Sequence, residues 1–202
     1  MNIEWREIEQ FFEKSTNRIK LKRFNNEDKS IIKTLKINEQ SVLGQVLLNV
    51  SGVVINDYLR IWGNDEPNIL FQNDRVKQFY SGNKLIVAND IWGGMFAISN
   101  GDFEGNVRSI WYFAPDLLEW ENLDINYADF LLWACGSGLE EFYQSFLWKD
   151  SDSMFREVNL NQAILIYPFL WAEECNLETA EKKIVPFEEL ISINADYQNK
   201  LT

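Results

Sequence analysis

Apolar positions recur at spacings of three and four near the start of the chain. Trp5, Ile8, Phe11 and Phe12 share one stripe and predict a helix from Glu4 to about Lys14. The stretch from Arg18 to Arg23 reads as a basic polar gap. Asn26 followed by Glu27 and Asp28 has the form of an N-cap with acids in the first turn, opening a helix that runs to about Leu35. Two β-branched runs, Val46–Val50 and Val53–Asn56, flank Ser51-Gly52 and predict a hairpin, although Val42–Leu48 also fits a helical turn. Tyr58–Trp62 alternates apolar and polar residues as a half-buried strand does, and Gly63–Pro67 breaks it. Arg75–Tyr80 is ambiguous.

Further along, Leu85–Ala88 predicts a strand, Asn89-Asp90 a turn, and Gly93-Gly94 a sharp backbone bend with close approach to a neighbour before the strand Met95–Ile98. A loop through Asn100-Gly101 leads to a partner strand, Val107–Phe113, which Ala114-Pro115-Asp116 ends. Asn126 caps a helix with Tyr127, Phe130, Leu131 and Ala134 on one face; Gly136-Ser137-Gly138 breaks it, and Leu139, Phe142, Tyr143 and Phe146 mark a second amphipathic segment. Beyond it come an apolar run, Leu160–Ile166, a stop at Tyr167-Pro168, and a helix opening at Pro186-Phe187 and reaching about Asn199. The pattern predicts an α+β fold, a mostly antiparallel sheet with flanking helices, in one domain over 1–202. Within it, 1–40 is a helical leading segment, 41–148 the sheet-and-helix core, and 149–202 a C-terminal extension packed on that core.

Composition narrows the chemistry. Fourteen per cent of residues are aromatic, with 8 Trp and 14 Phe, so ring packing must fill much of the core. The chain has no histidine, which removes the usual neutral-pH general base and the commonest metal ligand. Asn64-Asp65-Glu66 and Asn89-Asp90 offer oxygen ligands but not the spacing of a calcium loop, and turn formation accounts for them. No cofactor is expected. Cys135 and Cys175 lie far apart without CxxC spacing and read as reduced, buried thiols. With no run of about 20 apolar residues and no export signal, the chain reads as cytoplasmic and without a membrane partner.

Charge changes the picture most. The net charge is -12, yet residues 1–40 carry 9 basic and 7 acidic side chains. Between Arg108 and Lys149 no basic residue occurs, and seven acids stand among eleven aromatics. That span would repel a phosphate backbone, which argues against direct nucleic-acid binding, and would attract a basic protein. The same acids would also keep a ring-rich surface soluble. The densest group, Asp116, Glu119, Trp120, Glu121 and Asp124, is the candidate binding surface. Its carboxylates beside an indole also suggest a hydrolase acid–base pair, Asp116 with Glu119 or Glu121. A scaffold protein without such a site remains the third reading.

Several stretches resemble an uncharacterised bacterial protein family, of the kind described only as a domain of unknown function. They are Leu43-Gly44, Ser51–Ile55, Leu59–Gly63, Gly93–Ile98, Trp111–Glu121, Tyr127–Trp133 and Phe142-Tyr143. That family's pattern has Asp-His-Gly-Trp before Leu-Arg, where this chain has Asn56-Asp57-Tyr58, and Gly-Ser-Gly where it has Gly63-Asn64-Asp65. If that loop forms an active site in relatives, these departures speak against its carrying over to this chain. The Gly-Gly strand, its hairpin partner, the acidic post-strand loop with Trp120 and the following Phe-Leu helix are more distantly similar to the SUKH (SMI1/KNR4-type) superfamily. That resemblance implies an antiparallel α+β domain. It also implies an immunity protein as one function, with a basic toxin such as a nuclease as partner.

Overall fold

A computed structural model describes residues 4–23, 30–65, 67–104 and 107–201. The Asn26 cap with Glu27 and Asp28, and also Glu66 and Asn106, lie outside the described residues. Seven strands pair antiparallel in the order in which they occur: β1 (Ile19–Arg23), β2 (Val50–Ile55), β3 (Leu59–Trp62), β4 (Leu85–Asp90), β5 (Met95–Ile98), β6 (Ile110–Ala114) and β7 (Glu119–Asn122). A separate hairpin joins β8 (Gln162–Tyr167) to β9 (Glu181–Pro186). The fold is α+β, an antiparallel sheet with flanking helices and a C-terminal helix.

The first face of the sheet carries Val53, Ile55, Ile61, Phe96, Ile110 and Tyr112. It is covered by α1 (Trp5–Glu13), α3 (Val42–Asn49), α5 (Tyr127–Cys135) and α6 (Gly138–Tyr143), with the short α2 (Ser30–Leu35) packed beside α3. In α1 the stripe works as expected: Ile8 and Phe12 are buried, and Glu4 and Glu7 close a capping box at its start. Asn126 caps α5 by accepting from the Ala128 and Asp129 amides. The second face carries Ile86, Met95, Ala97 and Phe113, covered by α4 (Ile69–Val76), the β8–β9 hairpin and, after the short α7 (Ser151–Phe155), the C-terminal α8 (Phe187–Leu201). Alternate residues of β8 serve the two cores, Ile164 and Ile166 the larger and Ala163 the smaller.

Several predicted elements differ, and Asn89-Asp90, expected as a turn, belongs to β4. The basic gap is strand β1, with Ile19 and Leu21 half-buried and Lys20 and Lys22 exposed. Val42–Asn49 is helix rather than strand. Ser41 accepts from the Gly44 amide as its cap, and the strand preference of the β-branched Val42 and Val46 is outweighed by the burial of one side at Leu43, Gly44, Val46 and Leu47. The expected hairpin is consequently shifted: β2 runs through Ser51-Gly52, and its turn to β3 is Asn56-Asp57, both at positive φ (51° and 66°), with the Tyr58 amide donating to the Ile55 carbonyl. The acidic loop after β6 is a tight turn followed by strand β7, which lies at one edge of the sheet.

Candidate functional site

Asp90 ends β4 with its carboxylate fully buried. Oδ1 accepts from the Trp92 and Gly94 amides at 2.9 and 2.8 Å; Oδ2 accepts from the Tyr112 and Tyr143 hydroxyls, both at 2.9 Å. Burial raises this carboxyl above its ordinary range, opposed by the four hydrogen bonds. The two glycines divide the work around it. Gly93 turns the chain at φ 94°, whereas at Gly94 a Cβ would collide with Asp90 Oδ2 and the Tyr112 ring. The glycine pair therefore shapes the sheet end around a buried carboxylate.

By alternation Arg60 belongs on the polar face of a half-buried strand, yet it is 1% exposed. The chain segment before β8 crosses over it. Nη1 donates to the Leu160 and Gln162 carbonyls at 3.1 and 2.6 Å, and Nη2 donates to Val158 at 3.3 Å. Burial lowers its pKa to about 10, partly offset by Asp90, so it remains a cation at neutral pH. No ion pair joins Arg60 to a carboxylate among the described residues. Register places it in a row across the second face: Lys20, Val54, Arg60, Asn89, Met95, Phe113, Trp120. No periodic signal marks this residue, because what buries it arrives from a hundred positions away.

The acidic group falls on the opposite side of the sheet. Pro115 and Asp116 occupy the β6–β7 turn, where the Leu117 and Leu118 amides donate to the Ala114 carbonyl and Leu118 sits at φ 57°. Burial raises the Asp116 carboxyl above its ordinary range. Glu119, Glu121 and Asp124 are exposed. Trp120 points to the other face and is half-buried; its ring centroid lies 5.3 Å from Phe103, 5.5 Å from Phe113 and 6.4 Å from Tyr80, with Lys84 Nζ 5.5 Å from it. Strand alternation thus separates the indole from the two glutamates. Neither the cavity lined by β1–β3 nor the small one beside Trp92 is lined by Asp116, Glu119 or Glu121.

Other candidate chemistry is soon placed. Both cysteines are free; Cys135 is buried, which pushes its thiol up to about 11, while Cys175 is only half-buried. Among the described residues, no group of three or more His, Cys, Asp or Glu side chains could hold a metal ion, and no helix is long and apolar enough to cross a membrane.

Fold and surface together define an α+β protein whose antiparallel meander ends in an acidic outer strand. The chain belongs to the family described as Protein of unknown function DUF2625, which it matches over residues 2–190. It is 29% identical over 205 residues to the uncharacterized protein YbfG of Escherichia coli (strain K12), covering 98% of this chain and 92% of that one. An uncharacterized protein of Haemophilus influenzae is 30% identical over 176 residues, covering 83% of this chain and 77% of that one.

Proposed function

We propose that this chain is a non-catalytic protein-binding module whose β7 edge receives a basic segment of another protein. The observation that carries this reading is the position of Glu119 and Glu121. They stand exposed on an outer strand of the sheet, in a span without basic residues, beside a backbone edge to which no further strand is paired among the described residues. Such an edge can add a partner strand through main-chain hydrogen bonds while the acids select a basic sequence. Charged edges also prevent unwanted strand pairing, and partner capture separates the two roles. A basic toxin such as a nuclease, the partner class implied by the SUKH resemblance, fits this surface, and neutralising it would make the chain an immunity protein. The hydrolase reading draws no support from carboxylates on an open strand.

The test is affinity capture from the native host at about 50 mM and about 500 mM salt, with wild type and the double variant Glu119→Lys, Glu121→Lys. The proposal expects a stoichiometric basic protein held by wild type at low salt, released at high salt and not retained by the variant. Equal capture by both proteins overturns it.

A further inference from the structure

Among the described residues, the cover of the second face does not extend over the whole sheet. Over β1–β3 a cavity of about 310 Å³ remains, floored by Gly52, Val54 and the backbone of Ile61, and walled by Trp62, Pro67 and Leu160. Its size lies at the lower end for small-molecule sites. Among the described residues three cations, Lys20, Lys22 and Arg60, line it against one carboxylate, Asp65, in a molecule whose net charge is -12. Lys22 is paired with Asp65 at 2.8 Å and Lys20 with Asp57, so the rim lysines already have counter-ions. Among the described residues Arg60 has no such contact: Asp90 acts on it without pairing, and the carbonyls that share its protons carry no net charge. A buried cation without a paired counter-charge is costly, and an anion in the adjoining cavity would supply the missing partner.

We infer that this cavity binds a small organic carboxylate with a short apolar tail, the carboxylate directed to the Arg60 side and the tail lying on Gly52, Val54 and Trp62. The planar guanidinium suits a carboxylate, and the apolar floor disfavours a bare inorganic ion. Gly52 keeps the floor low, since a Cβ there would come within 3.2 Å of the Ile61 carbonyl oxygen and fill space above the strand. The site is independent of the β7 edge, which lies at the far side of the sheet.

The experiment is an NMR titration of the ¹⁵N-labelled full chain with octanoate, with 1-octanol and with inorganic phosphate. Octanoate is expected to shift the amides of Gly52, Val54 and Trp62 saturably, with 1-octanol binding at least about tenfold more weakly and phosphate not at all. Val54→Trp fills the cavity from its floor and should abolish the octanoate shifts while the rest of the spectrum stays folded. Lys20→Gln with Lys22→Gln should weaken octanoate and leave 1-octanol unchanged. Arg60 itself is a poor probe because its loss could unfold the chain. Equal affinity for octanol and octanoate overturns the proposal, as do octanoate shifts that persist in Val54→Trp or map elsewhere, and so does the absence of binding at millimolar octanoate.

Discussion

Asp90 accepts four hydrogen bonds while fully buried, and its loss can be read in two ways. Asp90→Ala leaves two amides and two tyrosine hydroxyls without their acceptor and should cost at least about 3 kcal/mol, measured by urea unfolding. Asp90→Asn keeps the shape and removes the titration. Because burial raises the folded-state pKa, the folded protein binds the proton more tightly than the unfolded chain. The stability from that group is complete below its ordinary pKa of about 3.8 and is lost as pH rises through the folded value. The stability of wild type relative to Asp90→Asn should therefore be greatest at the acid end of a pH series and fall as pH rises. A difference that grows with pH would refute the assignment. Sequence patterning marks Asn89-Asp90 as a turn and nothing more, because the acceptor's partners Tyr112 and Tyr143 stand 22 and 53 positions away. Arg60 is hidden for the same reason. Glu119 and Glu121 are legible, since exposed charge is a local property.

At the scale of elements, the turn between β2 and β3 holds several parts together. Asn56 accepts from the Arg18 amide at 2.8 Å and donates to Asn17 Oδ1 at 2.9 Å; Asn17 in turn donates to the Ala134 and Gly136 carbonyls at the end of α5. Asn56→Ala removes these bonds and puts a Cβ-bearing residue without a polar side chain at φ 51°, which should cost about 3 kcal/mol. Asn56→Gly should recover about 1 kcal/mol of that loss, because the backbone is no longer strained although the bonds stay broken. Urea midpoints in the order wild type, Gly, Ala test this. Elements with one apolar stripe, α1 and α5, are readable from their own residues. The helix at Val42–Asn49 is not, because β-branched residues weigh towards strand until the Ser41 cap and the burial of one whole side are taken into account. Strand β1 does carry alternation, Ile19-Lys20-Leu21-Lys22, but its charges make it look like a gap.

For the whole molecule, a net charge of -12 sets self-repulsion against a few exposed ion pairs. Arg18–Asp152 and Lys22–Asp65 join exposed side chains, each worth at most about 1 kcal/mol, so screening them loses little. Relief of the repulsion should dominate, and the melting temperature should rise between about 10 mM and about 150 mM sodium chloride. A fall would place the ion pairs above the repulsion. The order of the strands has a different consequence. Every strand of the large sheet pairs with the one made just before it, so a chain emerging from the ribosome can add strands one by one as each appears. Its second face is another matter: Met95, Ala97 and Phe113 wait for β8, β9 and α8, which are made well after β7. A nascent chain that has reached Phe155 already possesses all seven strands and still presents that apolar face to water. The stage at which this protein most needs a chaperone is therefore the interval between the appearance of β7 and that of β8, β9 and α8.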